Sequence, residues 1–143
     1  KMQLKLATAE SCTGGMIAAH CTDLAGSSAW FERGFVTYSN EAKTELLGVP
    51  ASLILQDGAV SASVARAMAL GACYRSRAQV SVAVTGIAGP SGGSVEKPVG
   101  TVWLAWCVEG KAHTEMRLFS GDRAQVRRAT TVAALAGLLR LLP

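Results

Sequence analysis

The segment VSVAVTG, Val80 to Gly86, constrains the fold more than any other stretch of the chain. It is nearly all apolar and rich in β-branched residues, and it lacks the polar alternation of a strand with one wet face. It therefore reads as a strand buried on both faces. Such a strand needs other elements packed above and below it, which points to an α/β protein with helices on both sides of the sheet.

The neighbouring pattern supports that class. Leu4 to Thr8 alternate as a first strand, and Thr13 to Ala25 read as a helix stopped at Gly26. GSSAWFERG reads as an irregular or one-turn element, followed by a strand at Phe35 to Ser39. Asn40 is placed as an N-cap with Glu41 in the first turn. The helix it opens ends at Gly48, a C-cap type of residue. Pro50 occupies the first position of another short helix. Ser61 caps a long amphipathic helix to about Arg77. After the buried strand, GIAGPSGGSVEKPVG is too long and too rich in glycine to be a plain hairpin turn. TVWLAWCV and AHTEMRLF then form an antiparallel hairpin joined through Glu109 to Lys111. Asp122 caps a last helix to about Leu142, with a C-terminal half of mostly Leu and Ala. No linker, repeat or low-complexity segment interrupts residues 1–143, so they make a single domain.

Composition narrows the function. Half of the 143 residues are hydrophobic, 17% are charged, and the net charge is +4. The basic residues are scattered apart from Arg123, Arg127 and Arg128, without aromatic interleaving, which argues against nucleic acid as a partner. A mild positive field suits a small anion equally well. Cys12, Cys21, Cys73 and Cys107 form no C-x-x-C pair, and His20 and His113 lie far apart, so no metal is expected. A core this apolar does not need disulfides; with no visible signal peptide, the expected setting is the reducing cytoplasm. No apolar run approaches ~20 residues, so no membrane span is expected.

Three loops carry the chemistry: Ala9–Gly15, Tyr38–Lys43 and Gly86–Gly100. Each follows a strand, and ligands of open α/β sheets bind outside the carboxyl ends of strands. Ser11 precedes a helix start at Thr13, whose free N–H groups can hold a phosphate or an oxyanion. Gly14 and Gly15 permit close approach of a ligand. Taken alone, this stretch serves equally well as a helix cap. Cys12 is a rival nucleophile, but His20 lies two turns along the helix and cannot serve it, so Cys12 reads as a buried filler. Lys43, third in its helix, stands at the wrong end of the dipole for a cation, and its pKa should be depressed. A neutral lysine can act as a general base, and serine with lysine is a known variant of the triad logic. Tyr38 reads either as core or as a hydroxyl beside Lys43. Thr85 should aim into the same pocket just before Gly86. Arg123 at a helix start hints at an anion, against the alternative of a plain surface arginine.

The motifs TAESCTGG, GSSAWFERGFVTYSNEAK, GAVS, TGIAGPSGG, KPVGTVW and GDR occur here in one fixed order. With them the chain resembles the CinA C-terminal domain family over nearly its whole length; stand-alone members are nicotinamide-nucleotide amidohydrolases. The resemblance implies a three-layer α/β/α fold with a mixed five-stranded sheet. It implies hydrolysis of the carboxamide of nicotinamide mononucleotide to nicotinate mononucleotide and ammonia, in pyridine nucleotide salvage, without metal or cofactor. It implies Ser11 as nucleophile, Lys43 as base and Tyr38 beside them. Ser28, Thr85, Gly86 and Arg123 would complete the substrate site, with Thr13, Gly14 and Gly15 receiving the oxyanion. A nucleotide-binding module without catalysis is the alternative reading. Members carry a helix ahead of the first strand, whereas this sequence starts almost at that strand: either it is a trimmed piece, or the helix is missing and one sheet face would be less fully covered. The apolar last helix and exposed-looking Trp30 and Phe31 suggest a homodimer.

Overall fold

The computed structural model describes residues 3–143. Five strands form one sheet in the order β2-β1-β3-β4-β5. They are β1 (Leu6–Glu10), β2 (Phe31–Val36), β3 (Val80–Gly86), β4 (Thr101–Val108) and β5 (Lys111–Leu118). β1 runs parallel to both β2 and β3, and β4 and β5 add as an antiparallel hairpin. The helices are α1 (Met16–Thr22), α2 (Asn40–Leu47), α3 (Ala51–Asp57), α4 (Ala62–Tyr74) and α5 (Arg123–Leu141), with a 3-10 turn at Ser27–Ala29. This is the expected α/β/α arrangement with a mixed sheet. No helix among the described residues is long and apolar enough to cross a membrane.

The two faces of the sheet differ in side-chain size. Leu6, Val80, Val82, Val84, Val102, Leu104 and Trp106 face α1 and α5. Ala7, Ala9, Ala83, Ala105 and Cys107 face α4. The small face lets α4 lie close, and the Ser81 hydroxyl donates to the Ala69 carbonyl at 2.6 Å. A Cβ at Gly71 of α4 would collide with the Leu47 carbonyl at the end of α2, so only glycine admits this contact between the two helices. On the large face the Trp106 indole N–H donates to the Ala134 carbonyl of α5 at 2.8 Å. An apolar groove of about 410 Å³ opens on that face between Leu6, Leu24, Trp30, Leu135 and Leu139.

Several boundaries differ from the sequence reading. β1 lies two residues later than Leu4–Thr8, and its last position is the buried Glu10. β2 begins at Phe31, inside the stretch read as irregular. It is an edge strand, and an edge tolerates the polar Glu32 and Arg33 that a central strand would reject. Trp30 and Phe31 do not project outward: both are half-buried against the core, ring edge to ring face at 6.5 Å between centroids. α1 starts at Met16, not Thr13. The cap of α2 is Ser39, whose hydroxyl accepts from Ala42 N–H at 3.0 Å, so Asn40 is the first helical residue and Lys43 the fourth. Pro50 stands at the N-cap of α3. Ser61 and Asp122 cap as expected, the latter in a full capping box with Gln125.

The connections place the site. The chain leaves β1 for α1 on one face and leaves the neighbouring β2 for α2 and α4 on the other. A crevice therefore opens at the carboxyl ends of these strands, where the order reverses.

Candidate active site

A cavity of about 240 Å³ occupies that crevice, lined among others by Ser11, Tyr38, Lys43, Thr85, Gly86 and Arg123. Residues from three loops and the start of α5 thus converge, although they are spread over most of the chain.

Lys43 and Ser11 form its floor. Lys43 is 1% exposed. Its Nζ lies 3.1 Å from Ser11 Oγ and donates to the Thr37 and Tyr38 carbonyls at 3.2 and 3.3 Å. β2 stops at Val36 because Ser39 must cap α2, and the residues between turn these two carbonyls toward the amine. No carboxylate forms an ion pair with it among the described residues. Burial therefore lowers the Lys43 pKa, with a weak opposing pull from Cys12. The neutral amine has two N–H bonds, which the two carbonyls accept, and one lone pair, which is left for the Ser11 hydroxyl. The Ser11 hydroxyl also reaches the Tyr38 carbonyl, at 3.4 Å.

Tyr38, 62% exposed, is not a core residue. Its hydroxyl accepts from Arg123 Nη2 at 3.2 Å, while Arg123 Nη1 donates to the Gly89 carbonyl at 2.8 Å. Arg123 thus joins the glycine-rich loop to the tyrosine at the cavity rim. The Thr85 side chain reaches the cavity wall, but its hydroxyl is committed to the Ala59 carbonyl at 2.9 Å. That bond brings the α3–α4 connection, Ala59 and Val60, against the site. Gly86 is fixed by crowding: a Cβ there would meet Val102 Cγ2 at 2.6 Å.

The turn after Ser11 departs from expectation. The Gly15 N–H is not free for a ligand; it donates to Glu10 Oε1 at 3.2 Å. The Thr13 hydroxyl, fully buried, donates to the same oxygen at 2.5 Å. Ile17 N–H and Ala18 N–H donate to Glu10 at 2.9 Å each. The start of α1 is therefore filled by an internal carboxylate. Gly14 N–H closes the turn onto the Ser11 carbonyl at 3.2 Å. The N–H groups of Cys12 and Thr13 make no hydrogen bond to another residue among the described ones. Cys12 is 5% exposed, and burial pushes its thiol up to about 11, the wrong direction for a nucleophile. Ser28 is not brought to the cavity. It is exposed in the turn leading into β2, at the amino ends of the strands, whereas Ser11 follows the carboxyl end of β1.

Sequence reasoning passed over Glu10 and Arg127. Glu10 carried a signal: an acidic residue closing an apolar strand just ahead of a helix. Arg127 follows Arg123 by one helical turn and so shares its face.

Comparisons with known proteins identify the family. The CinA C-terminal domain model matches residues 1–142. The chain is 57% identical over 141 residues to nicotinamide-nucleotide amidohydrolase PncC of Pseudomonas putida, covering 99% of this chain and 88% of that protein. It is 58% identical over 132 residues to PncC of Escherichia coli K12, covering 92% of this chain and 80% of that protein. A CinA-like protein of Akkermansia muciniphila is 57% identical over 140 residues, 97% of this chain, which spans only 34% of that longer protein. The crystal structure of a competence/damage inducible protein of Agrobacterium tumefaciens superposes with a TM-score of 0.93 at 52% identity, covering 97% of this chain and 86% of that one. On these grounds the chain belongs to the CinA C-terminal domain family.

Proposed function

We propose that this chain hydrolyses the carboxamide of nicotinamide mononucleotide, giving nicotinate mononucleotide and ammonia, with Ser11 as nucleophile and Lys43 as its base. The observation that carries the reading is a buried lysine amine, unpaired with any carboxylate among the described residues, 3.1 Å from a serine hydroxyl at the floor of a cavity. Lys43 takes the Ser11 proton as Oγ attacks the amide carbon. The tetrahedral oxyanion collects the N–H groups of Cys12 and Thr13. The C–N bond breaks as the lysine returns its proton to the departing nitrogen, so ammonia leaves and a Ser11 acyl ester remains. Water then gives a proton to Lys43 and attacks the ester; nicotinate mononucleotide departs and the serine recovers its hydrogen. Arg123, with Tyr38, stands where the phosphate would be met at the rim. Thr85 and Gly86 shape the wall against the pyridine ring.

The test is ammonia release from nicotinamide mononucleotide by the wild type and Ser11→Ala, with mass spectrometry of enzyme trapped during turnover. The expected result is an acyl group on Ser11 and loss of turnover in Ser11→Ala by ~10⁴-fold or more. Turnover retained by Ser11→Ala, or an adduct on Cys12, removes the serine assignment. Tight binding of the nucleotide by the wild type without ammonia release replaces the enzyme reading with that of a nucleotide-binding module.

A further inference from the structure

Two consecutive glycines, Gly14 and Gly15, follow the reacting turn, with φ of 61° and 112°. Glycine makes such a turn possible and also makes it loose. Within the turn, the Gly14 N–H to Ser11 carbonyl bond of 3.2 Å is the link that closes it. An external group does the rest. Arg127, half-buried on α5, donates from Nε to the Cys12 carbonyl at 3.0 Å and from Nη2 to the Thr13 carbonyl at 3.1 Å. It makes no ion pair among the described residues, so its planar fork is committed to these two carbonyls. It does not line the cavity, whereas Cys12 does. In a trans peptide the carbonyl and the following N–H point in opposite directions. Holding the Cys12 carbonyl toward Arg127 therefore turns the Thr13 N–H away from Arg127. The Ser11 carbonyl, held by Gly14, likewise turns the Cys12 N–H out of the turn. Glu10 grips the same segment from within the core, through the Thr13 hydroxyl and Gly15 N–H.

We propose that Arg127 is a positioning residue for the reaction: its guanidinium clamps the turn after Ser11 so that the Cys12 and Thr13 N–H groups face the carboxamide oxygen as charge develops on it. The inference rests on the Ser11 reading above. Arg127 touches no substrate; it acts through the two peptide units it holds, the Cys12–Thr13 unit that carries the Thr13 N–H and the Thr13–Gly14 unit whose N–H closes the turn on the Ser11 carbonyl and so sets the Cys12 N–H. Its fixed positive charge stands behind the Cys12–Thr13 unit and favours the oxyanion through the Thr13 N–H.

The experiment is steady-state kinetics with nicotinamide mononucleotide for the wild type, Arg127→Met, Arg127→Gln and Arg127→Ala, well below each variant's melting temperature. Arg128→Met, the exposed neighbour on α5, is the control and should match the wild type. Arg127→Met should lower kcat by about 10²-fold, the effect of a misaligned oxyanion donor, with KM held within about threefold. Arg127→Gln, able to reach one carbonyl, should fall between. Added guanidinium ion, at a concentration that leaves the wild type unchanged, should restore part of kcat in Arg127→Ala, an effect that a merely structural role would not produce. If Arg127→Met does not fold, Arg127→Gln and the guanidinium rescue decide. Wild-type kcat in the folded variants, a loss confined to KM, or absence of rescue overturns the clamp. A wild type that releases no ammonia overturns the functional reading and the clamp together; an active wild type with unaffected Arg127 variants overturns the clamp alone.

Discussion

Glu10 and Lys43 are two buried charges on either side of Ser11, and their surroundings are opposite. Glu10, 0% exposed, receives four hydrogen bonds, from the Thr13 hydroxyl and three backbone N–H groups at the start of α1. Its ionised form is satisfied by donors that the backbone already presents. Among the described residues Lys43, 1% exposed, hydrogen-bonds only a hydroxyl and two neutral carbonyls. Those partners serve the neutral amine about as well as the cation, so desolvation decides and its pKa falls. Burial alone does not tell a structural charge from a reactive one. What separates them is whether the partners complete the charged form or leave the neutral form competitive. In the first case the charge anchors a turn; in the second the amine is free to serve as the base proposed above.

The largest effect should come from removing the reactive member. Lys43→Met should cut kcat by ~10³- to 10⁴-fold, the share of a general base. Its urea midpoint should equal or exceed that of the wild type, because an apolar side chain of similar volume replaces an unpaired buried amine. A less stable Lys43→Met would mean that the lysine is structural after all. Glu10→Gln should do the reverse. An amide NH₂ would face backbone donors, and equilibrium unfolding should show a loss of about 3 kcal/mol. A Glu10→Gln enzyme of unchanged stability would erase the contrast.

The pH dependence of stability sharpens the same comparison. The folded-state pKa of Lys43 lies below its unfolded value, so between the two the unfolded chain binds more protons and folding stability rises with pH. The penalty is fully present below the folded pKa and gone above the unfolded value of about 10.4. Any stability advantage of Lys43→Met should therefore shrink as the pH is raised toward that value, as urea titrations across this range would reveal. An advantage independent of pH would contradict the depressed pKa. The smallest effect belongs to the rim. Tyr38→Phe removes the acceptor for Arg123 and should raise KM a few-fold, about 1 kcal/mol, with kcat nearly unchanged.

The sequence by itself determined the layers. A doubly buried strand at Val80–Gly86, cap residues at Ser61 and Asp122 and stop signals such as Gly48 are local, and they held because propensity and packing agree there. It also singled out Ser11 and Lys43 as candidates, since a lysine near a helix start is anomalous wherever the helix lies. The start of β2 was hidden because an edge strand needs no apolar alternation. The roles inside Ala9–Gly15 were hidden for a related reason. Whether an N–H faces a ligand or a carboxylate depends on which group the fold delivers to it, and Glu10 arrives from the preceding strand. Ser28 shows the limit in the other direction: a residue inside a family motif can lie at the far end of the sheet. Only the tertiary structure decided that Lys43 Nζ, Ser11 Oγ and the Thr37 and Tyr38 carbonyls share one buried pocket, and that Arg127 grips the turn from outside. Desolvation and hydrogen-bond direction are properties of the assembled surroundings, and no local stretch of sequence contains them.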